Sequence, residues 1–309
     1  MIVCVAPSPS IDRLFKVERL RPGEIHRPTQ FVRVAGGKGL NAARAAAALG
    51  ADVRAVALLG GHAGRWIADE LDRTGLPLVA SWCAGETRTC LSVADTESGS
   101  LTEFYEQNAA VSAEEWEAFT NAVQNASAAS AWTTVSGSLP PGAPADGYEQ
   151  LAAASARVAV DTTALAAARP ALVKVNAGEA AALTELKIES VGEAVDAAQA
   201  LRRRIGGDGH AAAVTRGRGG AVLAAPDGTI WQGSLAADAR YPVGSGDAFL
   251  AGLVTTLDGG DGWPEALATA LGAAAANAEI AGPGLLDAAR ARELAERAVV
   301  APAARLKAE

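Results

Sequence analysis

Seven short apolar runs do most to set what this chain can fold into. Ile2–Ala6, Val53–Leu58, Ala131–Ser136, Val158–Asp161, Leu172–Val175, Ala211–Thr215 and Ala221–Ala225 are near-continuous rather than alternating. Strands with one wet face alternate, whereas strands covered on both faces do not, and that is the condition of a parallel sheet. Helical stretches separate them. Asn41–Leu49 stops at Gly50, a helix-end signal, and Gly64–Arg73 stops at Thr74-Gly75. Ala113–Ala126, Asp146–Ala156, Glu179–Leu186, Val191–Ile205, Asp247–Leu257, Pro264–Ile280 and Ala288–Val299 complete the series. This order predicts an α/β fold, a doubly wound three-layer α/β/α sandwich on a mostly parallel sheet. Half of the 309 residues are apolar, enough core for one large domain over 1–309.

Two segments break the pattern, at about residues 12–34 and 88–106. They carry short strands with a polar face: Leu14–Val17, Phe31–Val34, Leu91–Val93 and Leu101–Tyr105. Turn residues separate them, Arg21-Pro22-Gly23 in one segment and Glu97-Ser98-Gly99-Ser100 in the other. Together they predict a small β-sheet standing off the main one as a lid. It would cover a site at the carboxyl ends of the parallel strands, where open α/β sheets bind ligands. Phe31, Leu101 and Phe104 occupy apolar positions of this sheet, and no adjacent helix is available to cover them. A second copy of the chain is the expected cover.

A net charge of -8 argues against a general nucleic-acid binder. Cys4, Cys83 and Cys90 show no metal or redox spacing and suit a reducing compartment. No signal peptide is visible, and the Ala-rich runs are interrupted before they reach bilayer length. The expectation is a cytoplasmic protein with no membrane partner.

The chemistry concentrates in Gly-rich turns. Val243-Gly244-Ser245-Gly246-Asp247 leads into an apolar helical run. A helix starting there aims free N–H groups and its positive dipole end into the turn. Asp247 in such an anion pocket suits a base that takes a proton from a hydroxyl, with Gly244, Ser245 and Gly246 holding transferring charge. Gly36-Gly37-Lys38-Gly39-Leu40-Asn41 is neither a Walker A loop nor a dinucleotide fingerprint. Its glycines, Lys38 and Asn41 suit a polyol and a phosphate. Asp12, just after the first strand, suits vicinal hydroxyls, and Arg88 suits a phosphate. Lys174-Val175-Asn176-Ala177-Gly178-Glu179 and Thr215-Arg216-Gly217-Arg218-Gly219-Gly220 each follow a buried strand. Each element alone reads equally well as an ordinary turn or helix cap.

Their order is specific. Asp12, GGKGLN, Arg88, SGSLPPG (136–142), Asp161-Thr162, KVNAGE, TRGRGG and GSGDAFLAG (244–252) resemble the PfkB family of ribokinase-like carbohydrate kinases, from the first strand to about Gly284. Pro9-Ser10-Ile11-Asp12, Gly23-Glu24-Ile25, Thr87-Arg88-Thr89 and Thr102-Glu103-Phe104 point to the 1-phosphofructokinase and tagatose-6-phosphate kinase branch. The resemblance implies ATP and Mg²⁺ as cofactors and a sugar phosphate as substrate. Asp247 would be the base and Gly244, Ser245 and Gly246 the anion hole. Asp12, Gly37, Lys38, Asn41, Arg88 and Ser136 would bind the sugar phosphate. Lys174, Asn176, Thr215, Gly217, Gly220 and Asn277 would line the ATP site, and Glu179 would place the metal. The acceptor implied first is fructose 1-phosphate, going to fructose 1,6-bisphosphate. Alternatives are tagatose 6-phosphate, fructose 6-phosphate, an unphosphorylated hexose or a nucleoside, with a non-catalytic sugar sensor behind them. A homodimer joined through the lids is also implied.

Three departures stand out. Ser8-Pro9 replaces the usual Asn-Pro, Val175 replaces a proline, and Tyr105-Glu106-Gln107-Asn108-Ala109 replaces Asn-x-x-Gly-Pro. The Asp-Thr-Thr run that helps ribokinases hold potassium is also missing. Arg240-Tyr241-Pro242-Val243 stands there, so no potassium site of that type is expected.

Overall fold

Strands covered on both faces need helices above and below, and the chain supplies them in turn. The structure, a computed structural model, describes residues 1–164, 169–238 and 240–303. It begins with β1 (Ile2–Ala6), then leaves the main sheet for β2 (Ser10–Val17) and β3 (Gln30–Gly36). Helix α1 (Lys38–Ala48) returns it to β4 (Val53–Gly60), and α2 (Gly61–Arg73) leads to β5 (Leu78–Cys83). A second excursion forms β6 (Thr89–Asp95) and β7 (Leu101–Tyr105) before α3 (Ala113–Ser127). Then follow β8 (Trp132–Ser136), α4 (Gly147–Ala152), β9 (Val158–Asp161), β10 (Leu172–Asn176), α5 (Ala177–Thr184), α6 (Val191–Ile205) and β11 (Ala211–Thr215). The chain ends through β12 (Ala221–Ala224), β13 (Ile230–Ser234), α7 (Ser245–Asp258), α8 (Trp263–Glu279), α9 (Ala288–Glu296) and β14 (Val299–Pro302).

The main sheet has ten strands in the order β14-β13-β12-β11-β10-β9-β8-β1-β4-β5. It is parallel from β5 across to β11, and the last three pairings are antiparallel. The apolar runs read from sequence form seven of these strands. Three more escaped that reading because they sit at or near the edges. Leu78–Cys83 is mostly half-exposed, Ile230–Ser234 carries polar residues, and Val299–Pro302 follows a helix directly. The helix expected over Ala288–Val299 is cut short for the same reason. It ends at Glu296, and the β-branched pair Val299-Val300 joins the edge beside β13. Helix starts are locally encoded: Ser112 with Glu115, Asn176 with Glu179 and Ser190 with Glu193 each form reciprocal caps.

From β1 the chain proceeds to β4 and β5 on one side, then to β8, β9, β10 and β11 on the other. The winding reverses between β1 and β8. Residues just past the carboxyl ends of neighbouring strands diverge there and leave a crevice.

The lid is a four-stranded sheet, β3-β2-β6-β7. Two antiparallel hairpins join through a parallel β2–β6 pair. Register assigns its faces. Asp12, Cys90 and Tyr105 align on the face toward the crevice, and Leu101 shares that face. Phe15, Phe31, Leu91 and Phe104 lie on the opposite face. The expected grouping of Leu101 with Phe31 and Phe104 is therefore corrected, since Leu101 and Phe104 are three residues apart on one strand. Phe31 is 72% and Phe104 57% exposed. The outer face is not wholly without a helix, because Arg33 stacks on Trp66 of α2, 4.1 Å from the ring centroid. No helix among the described residues is long and apolar enough to cross a membrane.

Candidate active site

The crevice holds a cavity of about 1210 Å³. Three structural sources converge on it: the loops after β1, β8, β9, β10 and β11, the N-termini of α1 and α7, and the inner lid face. Asp12, Gly37, Lys38, Asn41, Arg88, Lys174, Asn176, Glu179, Thr215, Gly217, Gly220 and Gly244–Asp247 all line it.

A chain of charges runs through its middle. Asp161, at the end of β9, is fully buried. One of its oxygens accepts from Lys174 Nζ at 2.7 Å and the other from Lys38 Nζ at 3.0 Å. Lys38 also reaches Glu179 Oε1 at 3.4 Å. Burial alone would raise the Asp161 carboxyl, but the two ammonium groups hold it below its ordinary value. Burial would likewise lower Lys38, yet Asp161, Glu179 and Asp247 together hold it above the usual lysine range. Glu179 completes the α5 cap through its second oxygen, which accepts from Asn176 N at 2.9 Å.

Asp247 sits in the first turn of α7 with little exposure. Burial, and next the charge of Asp161, push its carboxyl up to about 7, against the pull of Lys174, Asn41 and Lys38. Asn41 Nδ2 donates to its Oδ2 at 2.9 Å. A carboxylate poised near neutrality is well matched to accept a proton and release it again. The turn before it depends on two glycines. Gly244 has φ +82, and a Cβ there would fall 2.6 Å from Pro283 Cα. A Cβ on Gly246 would fall 2.7 Å from Lys174 Nζ, so its absence lets the helix start and the ammonium face one anion together. Of the three N–H groups expected in the anion hole, that of Ser245 donates to Pro242 O at 3.1 Å. Those of Gly244, at the cap position, and Gly246 remain, joined by that of Asp247 in the first turn, where a helix leaves N–H groups without intrahelical partners.

Asp12 accepts from Ser10 Oγ at 2.5 Å and from Gly37 N at 3.2 Å, which ties the lid to the start of α1. Burial raises its carboxyl above the ordinary value. Arg88 donates through Nη1 to Glu106 O at 3.3 Å and through Nη2 to Ser8 O at 3.5 Å. Its Nε and the Ser8 hydroxyl are buried and have no hydrogen-bond partner. Two orphan donors in a polar crevice fit an anionic or hydroxylated ligand.

Two expected contacts fall elsewhere. Ser136 ends β8 with its side chain buried and unpartnered, and the chain turns after it, so Gly137 and Ser138 form that wall. Asn277, expected at the ATP site, does not line the cavity. The phase of α8 presents Ala274, Ala275 and Ala278 to the cavity instead. Asn277 is fully buried, donating to Val243 O at 2.9 Å and Ser245 Oγ at 3.3 Å and accepting from Gly284 N at 2.8 Å. It braces the Gly244–Gly246 turn. Asp161 and Arg44 had no role assigned from sequence. An acid closing an apolar strand run was the available signal for the first. For the second it was an arginine within an Ala-rich helix, three residues after Asn41.

A family model described as pfkB family carbohydrate kinase matches residues 1–288. A 1-phosphofructokinase of Haloferax volcanii is 34% identical over 269 residues, covering 84% of this chain and 85% of its own. A 1-phosphofructokinase of Xanthomonas campestris is 31% identical over 269 residues, covering 82% and 83%. The crystal structure of Escherichia coli phosphofructokinase-2 in complex with substrates and products superimposes with a TM-score of 0.86 at 24% identity, covering 96% of this chain and 98% of that one. At that identity the superposition speaks for the fold alone.

Proposed function

The chain belongs to the pfkB family of carbohydrate kinases, and from that premise we propose that it transfers the γ-phosphoryl group of ATP to a primary hydroxyl of fructose 1-phosphate, giving fructose 1,6-bisphosphate. The observation that carries the choice of a phosphorylated acceptor is the Arg88 guanidinium at the sugar side, since Lys38 is already paired with Asp161 and Glu179. Lys38 and Arg88 share one cavity with Asp12, Asn41 and the base, and Arg88 keeps a buried donor free. At an effective dielectric near 20, one charge pair at about 4 Å is worth roughly 4 kcal/mol before desolvation. An uncharged hexose or nucleoside would leave that attraction unused. An intact Asp247 behind its glycine turn speaks against a mere sensor.

In this reading Asp247 receives the hydroxyl proton on the carboxylate oxygen not engaged by Asn41. The α7 N-terminus and Lys174 face the transferring group, and the lid keeps water from it. A bound nucleotide would supply the phosphoryl group, and a divalent cation held at Glu179 would supply charge neutralisation there. Thr215, Gly217 and Gly220 border the nucleotide end, with Leu271, Ala274 and Ala278 as its apolar wall. Among the described residues no three acidic, thiol or imidazole groups cluster as a metal cage. That suits Mg²⁺, which usually takes one or two carboxylates plus phosphates and water. Glu179 is the carboxylate available, once exchanged from Lys38.

Arg88→Ala should raise KM for fructose 1-phosphate by about 10- to 150-fold, the worth of a hydrogen bond to a charged group. KM for ATP should stay nearly constant. Steady-state kinetics on both substrates checks this, and equal wild-type activity on fructose and its 1-phosphate would remove the reason for Arg88.

The same reading assigns the outer lid face to a second copy. Phe15, Phe31, Leu91 and Phe104 share this face with the buried Ile11, Val17 and Val93, and Phe31 and Phe104 are the side chains left exposed on it. Phe31→Asp with Phe104→Asp should yield monomers and weaken sugar phosphate binding more than ATP binding. Sedimentation checks the first part, and a fully active wild-type monomer at micromolar concentration would contradict it.

A further inference from the structure

Asn41 and Arg44 lie three residues apart on α1, on adjoining turns of one face. The Arg44 guanidinium is wedged between elements. Nη1 donates to Pro283 O at 2.8 Å and faces Asn41 Oδ1 at 3.4 Å, while Nη2 donates to Ala35 O. Arg44 is not part of the cavity wall. A guanidinium has donors only, so the side of the Asn41 amide that faces it must be the carbonyl oxygen. That sends Nδ2 toward Asp247 Oδ2.

We propose that Arg44 is a positioning residue for the base: it fixes the Asn41 amide in the orientation that offers Asp247 a hydrogen-bond donor. The proposal rests on the reading of Asp247 as that base. The two ends of an amide have nearly the same shape, so packing alone does not choose between them. Reversed, the Asn41 oxygen would confront a carboxylate oxygen, two acceptors face to face. Only a protonated Asp247, which cannot act as a base, would accept that arrangement. Arg44 excludes it by rewarding the other one. The same guanidinium secures Pro283, which packs on Gly244, so the anion turn and the amide are braced from one point.

Other charged groups facing Asp247 are Lys38 from α1, Asp161 from β9 and Lys174 from β10. Facing Arg44 are Asp12 from the lid, Glu70 from α2 and Asp247 itself. Asp247 and Asp12 both accept from the Asn41 amide, so Arg44 adds to that orientation by holding the carbonyl end, while Lys38, Lys174, Asp161 and Glu70 act through charge alone.

The test compares full-length wild type, Arg44→Met, Arg44→Lys and Asp247→Asn, with kcat followed from pH 5.5 to 9.5. In Arg44→Met the acid limb should move up by about one pH unit, the worth of one hydrogen bond to a charged group. At pH 7 kcat should fall roughly 5-fold, while at pH 9 it should return close to the wild-type value. Arg44→Lys, which keeps a donor but not the fork, should fall between. Carboxyl ¹³C NMR gives a readout independent of turnover: the Asp247 signal, identified by its loss in Asp247→Asn, should titrate higher in Arg44→Met. A limb and a carboxyl titration that both stay put in the folded variant would overturn the proposal and leave Arg44 a structural brace. If Arg44→Met does not fold, Arg44→Lys decides by the same two measurements. Near-normal kcat in Asp247→Asn would overturn the base assignment, and the carboxyl titration would still report on Arg44.

Discussion

Asp247→Asn should lower kcat by roughly 10²–10⁴-fold, the range for loss of a general base. It should leave the fold and ATP binding largely unchanged. The amide keeps the size of the side chain, and the α7 N–H groups stay in place, but no oxygen remains that can take up a proton. Asp247 titrates near 7 because burial and Asp161 disfavour its charge. Wild-type kcat should therefore fall as pH drops below about 7, where the group becomes protonated. In Asp247→Asn that acid limb should vanish along with most of the activity. Steady-state kinetics across pH, with nucleotide binding measured by calorimetry, checks both halves. Near-normal turnover in the variant would transfer the base role elsewhere.

Asp161→Ala should be the most destabilising change at the site. Asp161 is fully buried and joins Lys174, itself almost wholly buried, to Lys38. Removing one member of a buried ion pair leaves the other charge unpaired, which costs about 3–5 kcal/mol. The sign with pH follows from the lowered carboxyl of Asp161. Its contribution is present above the ordinary carboxylate range and is lost as pH falls through its depressed value. The difference in urea stability between wild type and variant should thus be large at pH 7 and shrink toward acid pH. A second consequence concerns the base. Asp161 raises Asp247, so the milder Asp161→Asn should shift the acid limb of kcat downward. Equal stability of wild type and Asp161→Ala at pH 7 would mean that Lys174 finds another partner.

The central layer was legible in the sequence because strands buried on both faces must be apolar throughout. Ile2–Ala6, Val158–Asp161 and Ala211–Thr215 have the same bounds in sequence and structure. Edge strands were not legible, because Leu78–Cys83 and Val299–Pro302 have fewer neighbours to satisfy and tolerate mixed residues. The lid was readable as alternating strands. Its parallel β2–β6 junction was not, since that pairing joins segments more than seventy residues apart. At the site, the Gly-rich turns declared themselves by composition. Residues that act through others did not. Asn277 has the composition of a ligand-binding residue, but helix phase points it at the Gly244 turn. Ser136 lies within a suggestive motif, yet its place at the end of a strand buries it. Arg44 is legible only once Ala35, Asn41 and Pro283 are seen around it.

The most direct test of the account is ADP release by the purified enzyme with MgATP, measured in parallel on fructose 1-phosphate, fructose 6-phosphate, tagatose 6-phosphate, fructose and nucleosides. The highest kcat/KM is expected on fructose 1-phosphate, with fructose 1,6-bisphosphate as product and fructose far behind. Equal or greater kcat/KM on fructose or on a nucleoside would contradict it.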